Sequence, residues 1–487
     1  MVEVDHAPGD RVGRRDLDVF RIRRRAESGQ VVAAPNPVRT REAWRPDGLA
    51  RLQRTAGNEA VAAMVRGASE ARHQPAAVQR YEAFEHATEG DRTPGSRTAT
   101  AGESDDLLYP HPGVRLTSGE IDALADMYGS PDDLFSASPD EIRAVVALVH
   151  RQQARPGSVQ ESEWDAATGG RYTRLNLRNA AHFGPSNSAL VPVPAGASPS
   201  SVDNRENFRR YYSETIINAS EAFHHLGLPS AEHTQRFLSR ATISAGFAEH
   251  YLLDAFSAGH LFNKEDFTAL AQRNLNALPR SQQQALLHRV GHGVLANPGA
   301  RALLGQYEAV ELTFGFLPRP NFDNETAFNT LLERLYDDPD GRQAVLSALV
   351  KVVHDRLDHN DAGGGAIGVP VENNLGAWVL SGDKTLATSP QTQQMIERAI
   401  TEFRTRMQPY FAGPTPPGTG SGYAPGSEEV IAFFPRTTAD STRMIAQLIR
   451  DVTNPAGGMA NALVSIIIEE LPSLLEGLVR HGDIHRA

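Results

Sequence analysis

The residues with the greatest chemical capacity lie in "HYLLDAFSAGHL", His250 to Leu261. On a helix, His250 and Asp254 stand one turn apart, so both side chains can reach one ion. His260 follows six positions after Asp254, beyond Ser257, Ala258 and Gly259. Those small residues suit a helix end or kink that re-aims a histidine at the same or a neighbouring ion. An aspartate inside "YLLDAF" is costly to bury without a partner. Imidazole with a hard carboxylate suits Zn2+, and Mn2+ or Fe2+ are also compatible. The alternative from spacing alone is a core helix whose three polar groups are satisfied by hydrogen bonds. The chain has no cysteine, so thiolate zinc sites, disulfides and cysteine nucleophiles are excluded.

Other constellations carry less. "HRVGH" puts His288 and His292 on one helical face, but Arg289 stands where a zincin needs glutamate. "GGGAIG" at 363–368 satisfies Gly-x-Gly-x-x-Gly, yet it follows a charged helix end instead of a strand and reads as a loop. "GHGVL" is not a nucleophile elbow.

The elements that must position these residues read as helices. Helical patterns recur near 206–226, 234–257, 264–277, 281–296, 325–336 and 341–357, and strand-like alternation is scarce. Thr117 and Glu120 form a capping box, as do Ser138 and Glu141 with Pro139 at the first helical position. The fold class expected is mainly α. Residues 1–45 read as a disordered Arg-rich arm and 46–78 as a short helical segment with a linker. A main body follows from 79 to 410, then a Pro/Gly/Ser-rich linker or loop at 411–436 and C-terminal helices at 437–487. "GDRTPGSRTATAGESDD" at 90–106 reads as a second flexible stretch. "MANALVSIIIEELPSLLEGLV" reads as two short helices broken at Pro472 and packed on the body.

The formal charge of −11 gives no global case for nucleic-acid binding. Only Lys264, Lys351 and Lys384 are lysines, so nearly all positive charge is arginine. No apolar run reaches the roughly 20 residues that span a bilayer, and the start lacks the apolar core of a secretory signal.

Two resemblances add to this reading. "LQRTAGNEAV" is similar to a segment near the N-termini of many proteins associated with bacterial extracellular contractile injection systems. It implies a cargo or accessory protein, with residues 49–66 contacting components of such a system. The spacing His-x-x-x-Asp-x5-His resembles the metal-binding helix of the zinc-dependent phospholipase C and P1 nuclease superfamily. That resemblance implies a multi-helical bundle with two or three zinc ions. In the family's ligand order it assigns His86 in "RYEAFEHATEGD", Asp126 in "DALADMYGS", His182 in "NLRNAAHFGPSN", then His250, Asp254 and His260. His354 and Asp358 in "KVVHDRLDHND" close the set. His224 and His225 rival His182 for its slot. The departures are the N-terminal extension, which removes the family's N-terminal Trp ligand unless the chain is cleaved, and the 94-position separation of His260 and His354. Either inserted helices around 264–345 cap the site, or the His354 pairing does not hold.

The resemblance implies a phosphodiester hydrolase in which Asp254 bridges two ions and Asp126 orients or deprotonates water. A phospholipid is the first substrate expected, and the acidic charge disfavours the nuclease alternative. The rival from another class is a non-catalytic structural or cargo-adaptor component with a degenerate metal site. Either would be cytoplasmic in the producing bacterium, then loaded into the injection system and delivered.

Overall fold

The computed structural model describes residues 83–93, 114–172, 175, 179–194, 198–223, 230–309, 321–358, 368–382, 386–413, 426–481 and 484–486. These are mainly helical. The first half holds α1 (Ala83–Arg92), α2 (Ser118–Leu124), α3 (Pro131–Ser136), α4 (Pro139–Ala154), α5 (Glu161–Ala167), α6 (Asn204–Phe223) and α7 (Ala231–Asp254). Then come α8 (Lys264–Asn276), α9 (Arg280–Ala296), α10 (Pro298–Leu304), α11 (Glu325–Asp337) and α12 (Pro339–Asp358). The last are α13 (Pro390–Ala412), α14 (Ser427–Ile431), α15 (Ala439–Val452) and α16 (Gly458–His481). The long helical patterns of the sequence all become helices, because an amphipathic face of that length is stabilised mainly by packing.

Capping chemistry sets several starts. The Thr117 box is complete: Glu120 N donates to Thr117 Oγ1 at 3.1 Å, and Thr117 N donates to Glu120 Oε2 at 2.7 Å. The Ser138 box is half formed. Glu141 N donates to Ser138 Oγ, but the Glu141 carboxylate instead accepts from Arg171 Nη1 at 2.7 Å. A charge-assisted bond to a guanidinium outweighs a return bond to a backbone amide.

Helices α6 and α7 make the most extensive helix pair, with α13 packed against both. Tyr211 and Tyr251 stack across α6 and α7, and Phe208, Phe403 and Phe434 join α6 and α13 to the segment after α14. Helix α1 packs on α2 and α4, and α2 on α7. Within 264–345, α9 and α11 lie against each other, with α9 on α16 and α11 on α12, while α8 packs on α12.

The sheet content is small. β2 (Val369–Asn373) and β3 (Gly376–Leu380) form an antiparallel hairpin, and β4 (Arg436–Thr437) pairs with β2, giving the order β3-β2-β4. β1 (Tyr307–Ala309) pairs antiparallel with β5 (Ile484–Arg486), which ties the chain's last strand to the 264–345 region.

The C-terminal helices share one apolar core with the body. The segment expected as two short helices is the single helix α16, with Pro472 inside it. Met459, Leu463, Ile466, Leu471 and Leu475 are buried along it. That burial offsets the backbone hydrogen bond a proline removes. Within 411–436, α13 runs through Ala412 and α14 begins at Ser427. Residues 90–93 of the expected flexible stretch include the end of α1. The Arg-rich arm, the "LQRTAGNEAV" segment, His224, His225 and residues 363–367 of "GGGAIG" lie outside the described residues. No helix among the described residues is long and apolar enough to cross a membrane.

Candidate metal centre

Asp254 is the last residue of α7, and His250 lies one turn earlier on the same face, with Nε2 at 3.2 Å from Asp254 Oδ2. The chain then leaves the helix through Ser257 and makes a short 3-10 turn, Ala258–His260. This turn re-aims His260 at the helix end. Its Nδ1 lies 3.1 Å from the Asp254 carbonyl oxygen and 3.6 Å from Asp254 Oδ1.

Three other segments converge on this end of α7. His86 comes from α1, a helix of 10 residues that neighbouring groups hold in place. Asp91 accepts from Thr117 Oγ1 and from Gly119 N, both at 2.9 Å, so α1 caps the start of α2. Gly119 lies directly against the Ala87 backbone, where a Cβ would collide. The turn after α2 then delivers Asp126 opposite His86. His182 ends a 3-10 turn, Asn179–His182. Its backbone is pinned: Asn204 Nδ2 donates to His182 O at 3.2 Å, and Gly184 N donates to His260 O at 2.7 Å.

The donor atoms form a compact polygon. His182 Nδ1 lies 2.7 Å from Asp254 Oδ2 and 3.0 Å from His250 Nε2. His86 Nε2 lies 3.6 Å from Asp254 Oδ1 and 3.8 Å from Asp126 Oδ2, and His250 Nε2 is 3.8 Å from Asp126 Oδ1. Two atoms bound to one tetrahedral zinc at about 2.0–2.1 Å sit about 3.3 Å apart. The His182–His250–Asp254 edges, 2.7, 3.0 and 3.2 Å, lie just below that value, and the Asp126 edges to His86 and His250, both 3.8 Å, lie just above it, so small side-chain shifts would fit either group to such an ion. Two groups meet the condition: His86 with Asp126 and His250, and His182 with His250 and Asp254. His250 belongs to both, and one imidazole nitrogen serves one ion. Asp254 presents Oδ1 toward His86 and His260 and Oδ2 toward His182 and His250, the disposition of a bridging carboxylate.

His354 and Asp358 adjoin this cluster from α12. His354 Nε2 is 3.1 Å from Asp358 Oδ2, and the His354 and His260 ring centres are 5.1 Å apart. Asp358 Oδ1 accepts from Gly259 N at 2.6 Å and from Ser257 Oγ at 3.2 Å. Gly259 is needed for close approach, since a Cβ there would strike Asp358 and the His354 ring. The structure thus brings all eight candidate residues into one region, none more than 5% exposed.

Groups behind the donors set their charge. Arg404 of α13 grips Glu249, the neighbour of His250, through Nε at 2.8 Å and Nη2 at 2.6 Å. It also donates to Thr93 O and Gly90 O at the end of α1, so one guanidinium ties the His86 helix to the His250 helix. Burial acts to lower the Arg404 pKa, but the Glu249 carboxylate overrides it and holds the pKa above its ordinary value. Asp122 lies fully buried beside them. Burial first, and then the negative charge of Glu249, push its carboxyl well above the usual range. On α12, burial acts to raise the pKa of Asp355, but Lys351 and His354 overcome it and hold the group well below that range.

His288 and His292 do not share a site with these residues. They are exposed on α9, and His288 pairs with Glu333 at 2.7 Å. Sequence reasoning missed Asp91, Glu249, Arg404 and Asp122. Their partners lie far along the chain. No family model, curated protein or solved structure matches this chain.

Proposed function

We propose that this protein is a zinc-dependent phosphodiester hydrolase of the phospholipase C type, with its N-terminal segment docking it to a contractile injection system. The observation that carries the reading is the buried convergence of His86, Asp126, His182, His250, Asp254, His260, His354 and Asp358. Five separate segments supply them, in the ligand order that the resemblance implies. The helical architecture agrees with a multi-helical bundle of that type.

An ion would be held by His182, His250 and Asp254 or by His86, Asp126 and His250, with the Asp254 carboxylate between the two groups. By the resemblance, His354 and Asp358, with His260, would hold a further ion. Zinc, when bound, supplies a hydroxide at neutral pH and charge for the phosphate oxygens and the leaving alkoxide. Asp126 orients or deprotonates the attacking water through its carboxylate. Mn2+ and Fe2+ suit the same donors.

The burial of every donor favours a second reading, because structural metal sites are closed whereas catalytic ones keep an open position. In it the chain is a non-catalytic cargo-adaptor whose metal only holds the fold. Hydrolysis assays with zinc-loaded protein on phosphatidylcholine, single-stranded DNA and RNA separate the readings. Release of phosphocholine supports the first. Cleavage of nucleic acid alone makes the protein a nuclease. Zinc binding without turnover of any of them supports the adaptor.

A further inference from the structure

One chain of charges, centred on the buried Lys351, leads away from the donors toward the C-terminal helix. On α12, Lys351, Asp355 and Asp358 stand at one-turn intervals, with His354 on the same side. Lys351 is only 4% exposed, so its ammonium needs compensating charge. Its Nζ donates to Asp355 Oδ2 at 2.5 Å and reaches Glu469 Oε1 of α16 at 3.5 Å. The other Asp355 oxygen, Oδ1, lies 3.2 Å from His354 Nδ1. An ionised carboxylate only accepts, so this contact places the imidazole proton on Nδ1. Nε2 faces Asp358 Oδ2, 3.1 Å away, and the side of the ring toward His260. A nitrogen lone pair and a carboxylate at that distance suit a shared cation. Carboxylates behind a ligating histidine fix its tautomer and raise its basicity in this way.

We propose that Asp355 is the positioning residue for His354: it accepts the Nδ1 proton, leaves Nε2 to the metal, and is itself set by Lys351 and, through Lys351, by Glu469 of the C-terminal helix. The metal half of this proposal rests on the zinc reading above; the tautomer half does not. It gives α16 a role beyond packing, because it is the helix that steadies the charge behind the second pair of donors.

The test uses the full chain with two readouts. The first is the His354 tautomer, read by long-range proton–nitrogen NMR on histidine-labelled, metal-free protein, with His354→Gln assigning the signal. The second is zinc affinity by competition with a chromophoric chelator. Asp355→Ala strands Lys351, so Asp355→Asn and the double variant Lys351→Met/Asp355→Leu accompany it. Wild type is expected to carry a proton on Nδ1. Asp355→Ala and the double variant are expected to lose it and to weaken one class of zinc site about 10–100-fold. Asp355→Asn, which keeps the acceptor oxygen, is expected to retain the tautomer. Glu469→Gln is expected to produce a smaller loss in the same site. An unchanged tautomer in Asp355→Ala and in the double variant overturns the proposal. If wild type binds no zinc, the metal reading fails, and the tautomer comparison alone decides the role of Asp355.

Discussion

Replacing Arg404 with Met removes one guanidinium and breaks four contacts at once. Two are the charge-assisted bonds to Glu249, and two are the bonds to Gly90 O and Thr93 O. Arg404 and Glu249 are 11% and 5% exposed, so solvent screens the pair little. The variant leaves Glu249 buried as an uncompensated anion next to the Asp122 carboxyl. Removing one partner of a buried ion pair costs about 3–5 kcal/mol. At roughly 1–2 °C per kcal/mol for a unit of about 400 residues, Tm falls by about 3–10 °C. The end of α1 also loses its anchor, so zinc affinity falls with it through His86. Calorimetry or dye-monitored melting measures the first effect, and chelator competition the second. Glu249→Gln removes the stranded charge, so Arg404→Met/Glu249→Gln is expected to melt above Arg404→Met alone. A Tm change under about 2 °C, or strictly additive effects in the double variant, would refute the assignment of Arg404 as the clamp.

Gly259→Ala places a methyl against Asp358 and the His354 ring. It is expected to cost about 1–3 kcal/mol by overpacking and to weaken zinc binding, measured by melting and titration; unchanged values contradict the close approach. Asp122→Asn tests the raised carboxyl. Above its ordinary value of 3.8 the unfolded chain has released this proton while the folded chain keeps it. Wild-type stability therefore falls as pH rises toward the folded pKa, by up to about 1.4 kcal/mol per pH unit. The Asn variant lacks that slope, so its Tm advantage grows with pH, and parallel curves from pH 4 to 8 would exclude the shift. Zinc at 100 times its Kd is expected to add about 2.7 kcal/mol to stability, seen as a Tm rise that EDTA reverses and Mg2+ does not reproduce. An identical Tm with and without zinc would count against a built site.

Much of the helical framework was legible because its apolar periodicity is strong, as in α7 and α12, and because Thr117 and Ser138 announce helix starts. Spacing singled out His250, Asp254 and His260 at one helix end, while His86, Asp126, His182, His354 and Asp358 were reached only through the resemblance; the structure brings the eight side chains together. What remained hidden depends on contacts between distant segments. Nothing local marks Arg404 as the partner of Glu249, 155 positions away. Glu469 likewise meets Lys351 across 118 positions. Pro472 reads locally as a break, yet the apolar face of α16 is long enough to carry the helix through it.

The metal content of the purified full chain tests the central claim most directly. After loading with zinc and exhaustive dialysis, elemental analysis of wild type is expected to find two or three zinc ions per chain. His250→Ala, which removes the donor common to both groups, and Asp254→Ala, which removes the carboxylate between them, are expected to lose most of that metal while circular dichroism stays helical. Wild type that retains no zinc, manganese or iron, or variants that retain as much as wild type, would contradict a metal centre at the end of α7.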